Sequence, residues 1–203
     1  VTGFDVNPTR ITELNAAKSP IGRITGETLQ AMRDSGRFEV TGDYSQLRDC
    51  DVIIICVPTP LNRHREPDLS YIINTTEGIL PNLRRGQLIA LESTTYPGTT
   101  RGIMQPILER GGLKANEDFY LAFSPEREDP GNASFHTASI PKVVGGLGDD
   151  AGEVAIAFYG TVVKQVVPVP NCEVAEAVKL TENIFRSVNI ALVNELKLIY
   201  GKM

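Results

Sequence analysis

Residues Asp51 to Pro60, DVIIICVPTP, contain five apolar residues in a row, Val52 to Cys56, followed by Val57 and a Pro-Thr-Pro sequence. The run is rich in β-branched residues and short for a buried helix, which is typical of a strand buried on both faces of a parallel sheet. Pro58 and Pro60 cannot donate ladder hydrogen bonds, so the chain leaves the sheet abruptly. Ligands of open parallel sheets bind beyond the carboxyl ends of the strands, which makes Thr59 a candidate binding residue. A plain rigid turn is the alternative interpretation.

Apolar runs and helical patterns alternate on both sides of this stretch. Further strands are predicted at residues 1–5, 87–91, 119–123, 142–144 and 162–169. Helices are predicted from Asn7-Pro8 onward and at residues 26–35, 68–80, 99–108 and 149–159. This alternation predicts an α/β protein with a doubly wound, mostly parallel, Rossmann-like sheet.

The end of the sequence predicts one long helix. Residues 172–200 lack proline and glycine, and Asn171 is a suitable N-cap. A helix of this length extends about 45 Å. The residues that recur at spacings of three, four or seven are Val174, Val178, Thr181, Phe185, Val188, Leu192 and Ile199. Because the helix is apolar almost all round, we expect it to be covered by further protein, as a spacer between domains or a dimer contact.

Composition restricts the class of function. The chain has 203 residues, a net charge of −5 and a pI near 5.1, which argue against binding to a nucleic-acid backbone but allow an anionic small molecule. No apolar run approaches the roughly 20 residues of a membrane span. The three cysteines lack metal-ligand or CxxC spacing, and we expect reduced thiols in the cytoplasm. With two histidines, neither a histidine metal site nor a Ser-His-Asp triad is expected.

A polar line crosses the apolar terminal helix. Lys179, Asn183 and Arg186 follow the spacing i, i+4, i+7 and therefore project from one face. Cations and an amide on such a helix are costly to bury unless an anionic group meets them, which predicts a ligand. The alternative is a solvated face on which Lys179 pairs with Glu176 or Glu182.

Asp5 closes the first predicted strand. An acid in this position after a glycine-rich phosphate turn binds the ribose hydroxyls of NAD. The glycine-rich fingerprint is not in this sequence, so from position alone Asp5 could equally be a helix-entry residue.

Polar residues also follow the strands predicted later in the chain. Glu126, Arg127 and Glu128 come after the strand at 119–123 and suit a substrate clamp or an acid/base group, with a surface salt-bridge cluster as the alternative. Thr59, Thr94 and Glu126 all follow the carboxyl ends of predicted parallel strands. Their common placement predicts a single site at that edge of the sheet.

Seven blocks of sequence, in order, resemble those of the nucleotide-sugar 6-dehydrogenases, and the resemblance runs through essentially the whole chain. They are most similar to those of the bacterial UDP-N-acetylhexosamine dehydrogenases, of the UDP-N-acetylglucosamine or UDP-N-acetylmannosamine type. The blocks are GFDVNPTRI, DVIIICVPTP, REPDLSYI, LESTTYPGTT, FSPEREDPGN, PKVVGG and AEAVKLTENIFRSVNIALVNEL.

The resemblance implies an enzyme that oxidises the C6 alcohol of a UDP-sugar to a carboxylate in two NAD-dependent steps, for surface polysaccharide precursors. It implies that Asp5 and Arg10 contact the adenosine side of NAD. Thr59 and Thr94 match threonines that line the nicotinamide side.

The resemblance also implies the catalytic groups. Lys179 matches the catalytic lysine, with Asn183 beside it, and a cation with an amide donor suits a developing oxyanion at C6. Glu126 matches a glutamate that assists water during thioester hydrolysis. The implied substrate contacts are Arg127, Glu128, Lys179, Asn183 and Arg186.

Two parts of the family pattern are missing. The glycine-rich βα unit would precede Val1, and the catalytic cysteine belongs to a glycine-rich loop in the family's second half. None of the three cysteines fits that motif. We therefore expect a fragment that is inactive alone, with an incomplete NAD-binding domain at residues 1–170 and a central helix at 171–203 that forms a homodimer.

Other functions stay open at this point. UDP-glucose and GDP-mannose 6-dehydrogenases are alternatives within the class. A non-catalytic module that binds NAD or a nucleotide sugar is an alternative outside it. A two-electron hydroxyacid dehydrogenase shares the sheet and the long helix.

Overall fold

The computed structural model describes residues 1–22, 24–126 and 140–203, and within them the fold is α/β with mostly parallel strands, as predicted. The strands are β1 (Thr2–Phe4), β2 (Glu39–Thr41), β3 (Val52–Ile55), β4 (Leu88–Leu91), β5 (Tyr120–Phe123), β6 (Lys142–Gly146) and β7 (Val166–Val169). The α-helices are α1 (Pro8–Asn15), α2 (Gly26–Asp34), α3 (Ser70–Ile79), α4 (Gln105–Glu109), α5 (Asp149–Gly160) and α6 (Cys172–Lys202). A π-helix at Thr100–Met104 runs directly into α4, and 3₁₀ turns lie at Tyr44–Asp49 and Leu80–Asn82.

The chain divides into two compact units, Val1–Leu47 and Arg48–Met203. In the first unit, β1 and β2 form a parallel pair, and α1 follows β1. Asn7 caps α1 by accepting hydrogen bonds from the backbone N–H groups of Thr9 and Arg10, as the sequence predicts. The predicted division at residue 170 stays a prediction.

The second unit contains a five-stranded sheet in the order β3-β4-β5-β6-β7. Neighbouring strands are parallel except β5 and β6. Ile55 pairs with Leu91, and Leu91 with Phe123, so β3, β4 and β5 end level. Their following loops therefore leave the sheet from one edge.

The strands β3 and β4 are both predicted to be buried, but the structure buries only β4 completely. All four residues of β4 are buried, whereas Ile54 in β3 is 42% exposed. The prediction that β3 is buried on both faces is therefore wrong for the described residues, because Ile53 and Ile55 are buried on one face whereas the face that carries Ile54 is exposed.

The two faces of the sheet carry different helices. On one face Ala155 and Tyr159 of α5 pack on the sheet residues Leu88, Ala90, Ala122 and Val144, and the six side chains form a core. Helix α6 packs on β5 and β6. Two adjacent glycines permit both contacts: a Cβ on Gly146 would meet the backbone of Gly152 in α5, and one on Gly145 would meet Asn171 and Ala175 at the start of α6.

One predicted strand begins later than expected. Residues 162–165 do not belong to β7, because the backbone N–H groups of Val162 and Val163 bond to the carbonyl of Tyr159 and continue the end of α5. Val162 is 58% exposed, so its apolar side chain does not mark a core strand.

Helix α6 has the predicted start and length. Asn171 accepts the N–H of Val174 at 2.9 Å, which caps the first turn. Beyond its first turns the apolar face is exposed: Phe185 is 71%, Val188 61% and Leu192 55% accessible. None of the helices in the described ranges is long and apolar enough to cross a membrane.

Gly145→Ala is expected to lower the free energy of unfolding by about 3 kcal/mol or to prevent folding, because its Cβ would lie 2.1 Å from the Asn171 carbonyl oxygen. Gly102→Ala is the matched control: it has open space and a helical backbone, so it should stabilise by about 0.5–1 kcal/mol. Urea unfolding measures both. Equal stability of the two variants would contradict the close packing of α6 on β6.

Candidate active site

The loops that leave β3 and β4 are joined by Ser93. Its buried hydroxyl donates to the carbonyl of Val57 at 2.7 Å and accepts the N–H of Val57 at 2.9 Å. This side chain bonds the Val57 backbone just beyond Ile55, where the pairing of β3 with β4 ends. Half-buried Thr59 and exposed Thr94 follow directly, so the two predicted cofactor threonines lie on two loops that are bonded to each other.

A buried ionic cluster fixes the start of the β4 loop. The Lys142 ammonium lies 2.8 Å from one carboxylate oxygen of Glu92, and the Tyr159 hydroxyl donates to the other at 2.6 Å. Burial raises the pKa of Tyr159 far above its usual range, and the Glu92 charge adds to this effect. The antiparallel direction of β6 brings Lys142 to this edge. Sequence reasoning missed the cluster, although an acid directly after a fully buried strand is a usable signal.

The far end of the same loop is held by Glu176 of α6, whose side chain is buried. Its carboxylate accepts the Gly98 N–H at 2.5 Å, the Thr100 N–H at 2.9 Å and the Thr100 hydroxyl at 2.8 Å. Burial raises the pKa of Glu176, while the hydrogen bonds from Thr100 and Gly98 lower it. The alternative in which Glu176 pairs with Lys179 on a solvated face is therefore wrong.

Lys179 reaches the exit of β5. Its ammonium donates to the backbone carbonyl of Glu126 at 2.5 Å and lies 3.9 Å from one carboxylate oxygen of that residue. The Lys179 side chain is only 15% exposed. The other carboxylate oxygen of Glu126 is buried and has no hydrogen-bond partner among the described residues. A cation and a carboxylate thus meet where β5 ends.

The remaining predicted substrate residues are less constrained. Asn183 and Arg186 lie on α6 one and two turns beyond Lys179, and both are exposed. Arg127 and Glu128 lie outside the described residues.

In the first unit, Asp5 follows β1 as predicted. One of its carboxylate oxygens accepts the N–H of Asn7 at 2.8 Å, and the other lies 3.3 Å from the Arg10 guanidinium. Each oxygen retains a further lone pair, and the side chain is 23% exposed. The carboxylate therefore fits the paired hydroxyls of a ribose, while Arg10 orients it.

The cysteines do not supply a nucleophile. Burial raises the pKa of the Cys172 thiol to about 12, and the thiol donates to the Gly145 carbonyl. Removal from water and the Glu92 charge raise the pKa of Cys56 to about 11. Both thiols are protonated at neutral pH, and the thiolate is the reactive form.

Comparison with known proteins defines the class of this fold. Residues 1–163 match the family described as UDP-glucose/GDP-mannose dehydrogenase family, NAD binding domain. The chain is 36% identical over 205 residues to the UDP-N-acetyl-D-glucosamine 6-dehydrogenase of Pseudomonas aeruginosa, a match that covers 100% of this chain and 48% of that protein. It is also 36% identical over 202 residues to the UDP-N-acetyl-D-mannosamine dehydrogenase of Pyrococcus horikoshii, covering 98% and 48% of the two chains.

Solved structures of dehydrogenases share the fold of this chain. The UDP-D-ManNAc dehydrogenase of Pyrococcus horikoshii matches with a TM-score of 0.91 and 36% identity over 98% of this chain and 48% of that one. A GDP-mannose dehydrogenase of Pseudomonas aeruginosa matches with a TM-score of 0.87 and 31% identity over 96% and 46%.

The class is an NAD-binding, Rossmann-like dehydrogenase domain. The chain belongs to the UDP-glucose/GDP-mannose dehydrogenase family, which confirms the predicted family, fold class and cofactor NAD. It spans about half the length of the curated relatives it matches.

Ser93→Ala is expected to lower the free energy of unfolding by about 1–3 kcal/mol, because it removes two hydrogen bonds and leaves the N–H and carbonyl of half-buried Val57 without this partner. Thr94→Ala at the adjacent exposed position should change it by less than about 0.5 kcal/mol. Denaturant titration of both variants is the measurement. Equal effects would mean that Ser93 does not join the two loops.

Proposed function

We propose that this chain is the NAD-binding part of an enzyme that oxidises the C6 alcohol of a UDP-N-acetylhexosamine to the uronic acid. The observation that carries the proposal is the Lys179 ammonium at the exit of β5, beside the Glu126 carboxylate. Relatives named for UDP-N-acetylglucosamine and UDP-N-acetylmannosamine support an acetamido sugar. We also propose that the enzyme acts in the cytoplasm.

Each unit offers residues for the proposed cofactor contacts. Asp5, oriented by Arg10, accepts the ribose hydroxyls on the adenosine side of NAD. Thr59 and Thr94 offer hydroxyls on the bonded β3 and β4 loops for the nicotinamide side. NAD held by these residues would supply the acceptor for the hydride that leaves C6.

The chemistry of the sugar falls to α6 and the β5 exit. The Lys179 ammonium and the Asn183 amide donate to the oxygen at C6 as negative charge develops there, in a site that needs little reorganisation. Glu126 positions the water that hydrolyses the thioester, which would form on the cysteine in the family's second half. Arg127, Glu128 and Arg186 bind the substrate.

The central test is the yield of NADH from a panel of UDP-sugars with the full-length protein. A four-electron oxidation predicts two NADH per sugar, with UDP-N-acetylhexosamines the best substrates. One NADH per sugar would overturn the proposal. A preference for UDP-glucose or GDP-mannose would change the proposed substrate to that of another member of the family. The 203-residue chain alone should give no NADH.

In that full-length protein, Lys179→Ala is expected to lower kcat by about 10²–10³-fold, the usual cost of losing one oxyanion-stabilising group. The KM for NAD should stay within about twofold because Lys179 is assigned to the sugar. Lys197→Ala, an exposed lysine on the same helix, is the matched control and should be unchanged. A raised KM for NAD with a normal kcat would mean that Lys179 takes no part in the chemical step.

We propose in addition that two copies associate through α6. The exposed apolar residues on its second half support this: Ile184, Phe185, Val188, Leu192, Val193 and Ile199 are each more than half accessible. Such a continuous apolar face is characteristic of an interface.

Light scattering of the full-length protein should therefore give twice the chain mass. Phe185→Glu combined with Leu192→Glu should give a monomer, because each glutamate would bury a charge in the interface. A monomeric wild-type protein would refute the proposed dimer.

A further inference from the structure

Glu176 is a fully buried acid that the proposed reaction does not use. A buried carboxylate is costly unless its oxygens are hydrogen-bonded. Here Oε1 accepts the N–H and the hydroxyl of Thr100, and Oε2 accepts the N–H of Gly98. All three donors come from a segment more than 70 residues away in sequence, so this carboxylate connects two separate elements.

The donors stand at the start of a helix. Thr100 begins the π-helix that continues into α4, and its N–H is among those that a helix leaves unpaired, while Gly98 lies just before the N-cap Thr99. A carboxylate at a helix N-terminus is stabilised by both the hydrogen bonds and the dipole. Glu176 therefore caps this helix from a different element.

The capped segment is also the end of the loop that carries Thr94. Its beginning is fixed by Glu92 and Ser93, and its end by Glu176 at Gly98. The loop is thus held at both ends while Thr94 between them is exposed.

Glu176 and Lys179 are three residues apart in α6, so they project from neighbouring positions on one side of the helix. The first enters the β4 loop and the second reaches the Glu126 carbonyl at the β5 exit. A shift of α6 by one residue would move the Lys179 ammonium by about 1.5 Å and rotate it by about 100°. The contact of Glu176 fixes that register.

We propose that Glu176 is a positioning residue, which sets the register of α6 against the Thr94 loop so that the Lys179 ammonium stands at the β5 exit. The inference rests on the proposed function of Lys179. Glu176 itself touches neither substrate nor cofactor.

The test is made in the full-length protein with Glu176→Gln. The amide keeps the size of the side chain but turns an NH₂ group toward a backbone donor, so one contact is lost. We expect kcat to fall at least tenfold, with the KM for NAD within twofold. Glu153→Gln is the control: this exposed acid lies on α5 and makes the same carboxylate-to-amide change away from the junction of α6 with the β4 loop, so kcat should change less than twofold.

A double-mutant cycle separates positioning from general destabilisation. If Glu176 acts through Lys179, then Glu176→Gln should add less than a threefold loss in a Lys179→Ala background. A purely structural role would reduce that residual rate by the same factor as in the wild type. Single-turnover NADH formation with enzyme in excess measures the slow variants.

Thr100→Val provides a second variant if Glu176→Gln does not fold. It removes only the hydroxyl donor and should lower kcat by about threefold to fivefold, and this effect should also vanish in the Lys179→Ala background. A wild-type protein that makes no NADH from any UDP-sugar would refute the proposed function. An active wild type with Glu176→Gln as active as Glu153→Gln would refute the positioning role alone.

Discussion

The hydrogen bonds between the buried Glu176 carboxylate and the segment Gly98–Thr100 are the constraint on which the candidate site depends. Together with the Arg101–Glu173 ion pair one turn earlier, they join a long helix to the end of the β4 loop. The contact is possible because Gly145 has no side chain, so the first turn of α6 lies directly on β6. Loss of the Glu176 hydrogen bonds, or a side chain at position 145, would change where the Lys179 ammonium lies.

The site is assembled from strand exits, each held by a different physical device. A serine hydroxyl joins the β3 and β4 loops, and an ion pair with Lys142 anchors the start of the β4 loop. An acid on α6 holds its end. Thr59 and Thr94 are therefore carried by a preorganised frame, whereas Lys179 is itself bonded to the Glu126 carbonyl at the β5 exit.

Much of the larger sheet could be predicted from the sequence because its strands are apolar runs that end in prolines or polar residues. The caps at Asn7 and Asn171 were predictable because N-capping is local chemistry. Strand β2, Glu39–Thr41, escaped prediction because three residues with one buried side chain give no periodic signal. Val162 escaped because an apolar residue in a turn resembles one in a strand.

The candidate site was predicted in its residue types and in the edge of the sheet where it lies. The family resemblance supplied the individual roles, which stay predictions. Its supporting frame could not be predicted, because Glu176, Glu92 and Lys142 meet partners 50 to 78 residues away in sequence. Nothing in a local pattern distinguishes Glu176, which is buried, from Glu173, which forms a partly exposed ion pair.

Amide hydrogen exchange of Gly98 and Thr100 tests most directly whether α6 is fixed on the sheet edge by Glu176. Both amides donate to a buried carboxylate, so they should be protected as strongly as the amides of β4, although Gly98 lies in a loop. Exchange of these two amides as fast as that of an exposed, unbonded loop would contradict the account.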